Sequence, residues 1–161
     1  MDENKFRLLV EKVKKLQASG NFDLSLEEDL SIAVMNLISL EEHFYFSAQK
    51  TGKSDYLDLL KETREVRKSL LAKMIPQHEG ETWCITKHLL AATMRLIEVG
   101  TKYQSAGKKA EAGTSFTQAY KIYSLFWAVR LKLLDLKGVK KIDKALTIED
   151  LTTQLIDCCQ E

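Results

Sequence analysis

The chain has 161 residues, which at roughly 150 residues per domain corresponds to one domain. Apolar residues make up 45% and charged residues 29%, and 24 Lys plus Arg stand against 23 Asp plus Glu, so a core is affordable while a strongly basic nucleic-acid binder or an acidic tail is excluded. With only 7 Gly and 1 Pro, a turn-rich sandwich or barrel is excluded as well.

In chain order, Phe6, Leu9, Val10, Val13 and Leu16 recur at spacings of three and four, predicting an amphipathic helix over Glu3 to Ala18 that Ser19 and Gly20 stop. Ser25 and Glu28 have capping-box spacing and open a long helix reaching about Gln49, with Leu30, Val34, Leu37, Phe44 and Ala48 on one face. Thr51, Gly52 and Lys53 end it. Ser54 is the expected cap of the next helix, which runs to Ile75 before Pro76 and carries Leu57, Leu60, Leu71 and Met74, with Leu59, Val66 and Leu70 beside them.

A short loop over 77–80 leads into Glu81 to Ala106. There Ile85, Leu89, Leu90, Ala92, Leu96, Ile97, Val99 and Tyr103 spread over an arc wide enough for a central helix touching several neighbours. Lys109 to Leu136 follows, carrying Phe116, Ala119, Tyr120, Tyr123, Phe126, Trp127 and Leu131. A lysine-rich connector over 137–146 precedes a last short helix from Thr147 to about Cys158. No segment sustains an alternation of period two. The expected fold is all-α: a single domain over 1–161, an antiparallel bundle of four long helices with shorter terminal helices against it.

Gly100, Tyr103, Gly107, Ala112, Phe116 and Ala119 form the series G-x2-Y-x3-G-x4-A-x3-F-x2-A. This resembles one tetratricopeptide repeat, a helix-turn-helix unit of about 34 residues, placed over 93–126. The resemblance implies small residues where two helices approach, a turn at Gly107, and Tyr103 and Phe116 filling the space between helices. Ser124 stands where the repeat has Pro, and no second copy is present, so the unit is read as one hairpin of a closed bundle. Hairpins of that family line peptide-binding grooves.

Charged residues interrupt the apolar faces. Glu41 falls in the series of Leu37 and Phe44, and Arg64 and Arg67 fall in that of Leu60 and Leu71, so Glu41 is expected to pair with an arginine inside the bundle. His88 and Arg95 share a strip of the following helix. Glu41, Arg64, Arg67, His88 and Arg95 therefore either fix the bundle's register or frame a polar pocket for a small anion or nucleotide. Cys84 and His88, four apart, are weak candidates for a metal pair, with Glu41, His43 or His78 as a third ligand; HExxH, CxxC and ExxH are all absent. Thr51 to Ser54 lacks the preceding glycine and strand of a phosphate loop. The aromatic residues Phe44, Tyr45, Phe46, Tyr120, Tyr123, Phe126 and Trp127 are read as core.

The charged start and the lack of any apolar run of roughly 18–20 residues lead us to expect a soluble cytoplasmic protein with no membrane partner. Cysteines number 3, with Cys158 adjacent to Cys159, so no disulfide framework is expected. The leading expectation is a non-enzymatic scaffold that binds another protein, or itself, near the tetratricopeptide-like hairpin, without cofactor or nucleic acid. The alternative is a small-molecule, anion or nucleotide-binding bundle.

Overall fold

The computed structural model describes residues 10–11, 14–16, 18–20, 23–75 and 81–132. Among these, all regular structure is helical and no strand occurs. The long helices are α1, Leu24–Thr51; α2, Asp55–Met74; α3, Glu81–Ser105; and α4, Lys109–Arg130. The connector over 137–146, the helix expected from Thr147, and His78, Cys158 and Cys159 lie outside the described residues.

Three glycines mark the ends of helices as expected. Gly20, Gly52 and Gly107 adopt φ of 68°, 68° and 75°, the left-handed region in which a side chain is strained. The Gly52 N–H donates to the Ala48 carbonyl at 2.9 Å, closing α1. At the start of α1, however, Asp23 replaces the expected Ser25 cap: its Oδ1 accepts from the Ser25 and Leu26 N–H groups at 3.0 and 3.2 Å. Asp and Ser are both good caps, and Asp23, two residues upstream, captures the first free donors. Ser54 makes no side-chain cap either. Helix α4 ends at Arg130, short of the expected Leu136, and Leu131 and Lys132 turn, with Lys132 at φ 53°.

Short turns fold α1 against α2 and α3 against α4, giving two helical hairpins, and α1 packs on α3. Buried Val34 and Met35 of α1, Leu71 and Met74 of α2, Cys84 and Leu90 of α3, and Phe126 of α4 meet in one cluster with Ile75 and Trp83. Burying each large side chain contributes about 1.5–3 kcal/mol, so this cluster dominates cohesion. It lies at the end opposite both turns: every residue from 49 to 55 and from 101 to 111 is exposed.

Gly100 lets α3 and α4 approach closely. A Cβ there would lie 2.5 Å from the Cε1 of Phe116, nearer than any such contact tolerates. Ala112 and Ala119 are buried on the facing side of α4. Tyr103 does not fill the space between helices as the repeat pattern implied; it is exposed, with the Lys108 ammonium 5.8 Å from its ring.

Burial departs from periodicity on the flanks. Leu57, Leu59 and Val66 of α2, Ile97 and Val99 of α3, and Tyr120 of α4 are exposed. Among the described residues, the wide apolar arc of α3 is therefore covered only in part. Among the described residues, no helix is long and apolar enough to cross a membrane.

Candidate functional site

The stripes of α1 and α2 face each other, which brings Glu41 and Arg67 together. Arg67 is 1% exposed and its Nε donates to Glu41 Oε1 at 2.8 Å, with Nη2 at 3.5 Å from Oε2. Arg64 approaches the same carboxylate at 3.3 Å, from a side chain that is about half in solvent. One carboxylate thus serves two guanidinium groups, and the buried arginine has the shorter contact. A buried guanidinium needs such a counter-charge, since desolvation alone costs several kcal/mol.

His88 and Arg95 do not join this cluster. His88 is exposed on α3, and Arg95 reaches Glu42 of α1 at 3.1 Å in a pair that is nearly half exposed on both sides. An anion entering between α1 and α2 would have to displace Glu41 from Arg67. Of the five residues, Glu41, Arg64 and Arg67 form an ion-pair group between α1 and α2, Arg95 pairs with Glu42 at the surface, and His88 joins neither. Cys84 is buried while His88 is exposed, and among the described residues no three His, Cys, Asp or Glu side chains converge as a metal site requires.

A further ion pair joins α1 to α4. Arg130 donates from Nε and Nη2 to the two carboxylate oxygens of Glu27 at 2.7 and 2.8 Å, a bidentate fork between the start of α1 and the end of α4. Nearby, the Ser31 and Tyr123 hydroxyls lie 2.7 Å apart. Glu27 precedes Leu30 and Val34 by three and seven residues, and Arg130 follows Tyr123 and Phe126 by seven and four. The helical series thus carried the signal. Tyr123, Phe126 and Trp127 pack as a trio with centroids 5.2 to 5.9 Å apart, while Tyr45 and Phe46, expected in the core, are exposed. Thr86 is buried and its Oγ1 has no hydrogen-bond partner among the described residues, unlike Thr93, which donates to the Leu89 carbonyl at 2.8 Å.

One flank of α3 carries an uninterrupted apolar series, of which Leu89 also packs against the core cluster. Ile85, Leu89, Ala92, Leu96, Val99 and Tyr103 follow at spacings of four, three, four, three and four, the seam a partner helix would read. Ala92, Val99 and Tyr103 are exposed and the others half-buried. Exposed His88, Arg95 and Lys102, seven apart, run alongside as a basic row. Compared with family models, curated proteins and solved structures, the chain matches none.

Proposed function

We propose that the chain is a non-enzymatic helical interaction module of the cytoplasm that docks another protein's helix on the seam of α3. The observation that carries this reading is the seam itself: six apolar residues at heptad spacing, three of them in solvent, beside the exposed cations Arg95 and Lys102. Helix-in-groove recognition uses anchors at this spacing. We read the two hairpins as one antiparallel four-helix bundle and α3–α4 as its tetratricopeptide-like hairpin, a reading that the contact of Gly100 with Phe116 supports.

The pocket alternative loses its cations. Arg67 and Arg64 share Glu41, and Arg95 is held by Glu42. To test the two readings, the immobilised chain is used for affinity capture, alongside thermal shifts with inorganic phosphate and nucleotides. Capture that Val99→Glu abolishes and Arg64→Ala spares supports the module. A rise in melting temperature with phosphate or nucleotide that Arg64→Ala removes overturns it.

A further inference from the structure

The seam on α3 has a counterpart on α2. Leu59 and Val66, seven residues apart, lie on one line of that helix and are both about half exposed. Each follows an exposed acid by four residues: Asp55 precedes Leu59 and Glu62 precedes Val66. On α3 the sign is opposite: the exposed Arg95 precedes Val99 by four, and the exposed Lys102 lies seven further along the same row. One chain therefore displays two apolar helix faces, one with an acidic edge and one with a basic edge, on different hairpins.

From this complementarity we infer that a second copy of the chain is the occupant: the α2 face of one copy docks on the α3 face of the next. The inference rests on the reading of α3 as a docking seam and names its partner. An antiparallel two-fold contact of either face with itself would set the basic rows of two α3 helices, or the acidic rows of two α2 helices, against each other. The α2-to-α3 contact is heterologous instead, and each copy added leaves a free face at both ends of the chain of copies. In arrays of helical hairpins each hairpin buries its outer faces on its neighbours in the same way. Here each hairpin gives one face to the shared core and keeps another apolar. The exposed Lys102 extends the positive edge beyond Arg95, whose own charge is partly spent on Glu42.

The test is sedimentation equilibrium of the full chain from micromolar to millimolar concentration, with circular dichroism of each variant to show that it is folded. For the wild type, the average mass rises above 18.4 kDa and passes twice that value as concentration increases. Val66→Glu and Val99→Glu each hold the monomer mass when alone. Mixed in equal amounts they form a dimer that grows no further, because each supplies the face the other lacks. Lys102→Glu weakens association at least tenfold, and adding Glu62→Lys in the same chain recovers it. A wild type that stays monomeric at millimolar concentration overturns the inference, and so does a mixture that fails to pair. If the chain is monomeric yet captures a foreign protein through Val99, only this inference falls and the module reading stands.

Discussion

Removing Glu41 takes from the buried Arg67 the carboxylate that its Nε meets at 2.8 Å between α1 and α2. Arg67 is 1% exposed, so its guanidinium cannot turn to water for compensation. Breaking a buried pair by deleting one partner costs about 3–5 kcal/mol. The carboxylate is 12% exposed and Arg64 beside it is 47% exposed, so one side of the seam borders solvent, and the lower end of that range applies to Glu41→Ala, about 3 kcal/mol. Against a typical domain stability of about 5–15 kcal/mol this is a large fraction, and it corresponds to a fall in Tm of about 6–12 °C for a chain of this size.

Arg67→Met removes the buried charge as well, so the double variant Glu41→Ala with Arg67→Met is more stable than Glu41→Ala alone. A double-mutant cycle gives a coupling of about 2 kcal/mol. Arg64→Ala, which deletes only the half-exposed member, costs less than about 1 kcal/mol. Equilibrium urea unfolding followed at 222 nm measures all four. A cost for Glu41→Ala below about 1 kcal/mol, or strict additivity with Arg67→Met, would refute the claim that this is a buried, interdependent pair.

The two helical glycines respond in opposite directions to Ala. Gly113→Ala, with nothing within 4 Å of the added Cβ, gains about 0.5–1 kcal/mol from helix propensity, whereas Gly100→Ala meets Phe116 at 2.5 Å and loses about 1–2 kcal/mol despite the same propensity gain. Phe116→Leu relieves the second loss, and thermal melts of the single and double variants read it directly. Arg130→Lys replaces the fork to Glu27 by a single donor and lowers stability by about 1–2 kcal/mol in urea unfolding, an amount that a purely superficial pair would not reach. Thr86→Val exchanges an unsatisfied buried hydroxyl for a methyl group and raises Tm; a fall in Tm would mean that the hydroxyl has a partner in the folded chain.

Part of the candidate site was legible along the chain. Glu41 stands four residues after Leu37 and three before Phe44, and Arg67 stands four before Leu71, so both were visible as charges on core-facing stripes, and the structure joins them at 2.8 Å. The third arginine, Arg95, lies on a helical strip that turned out to be surface. A strip identifies residues that share a direction without saying what lies in that direction. Glu27 and Arg130 likewise fall in core-facing helical series, but nothing along the chain pairs two residues 103 positions apart.

The sequence by itself determined where helices form and where they turn, because those outcomes depend on local hydrogen bonding and backbone strain: Gly20, Gly52 and Gly107 sit at the left-handed positions where the chain had to reverse or stop. Only the tertiary structure decided which apolar side chains are covered. Leu71 and Val66 of α2 are equally apolar and five residues apart, yet one is fully buried and the other half exposed, since α1 and the core reach only one side of the helix. Periodicity measures an angle around a helix axis, and burial depends on which neighbour occupies that angle. For α2 and α3 the angle beside the acidic and basic rows is left open, and it is there that an interaction surface can lie.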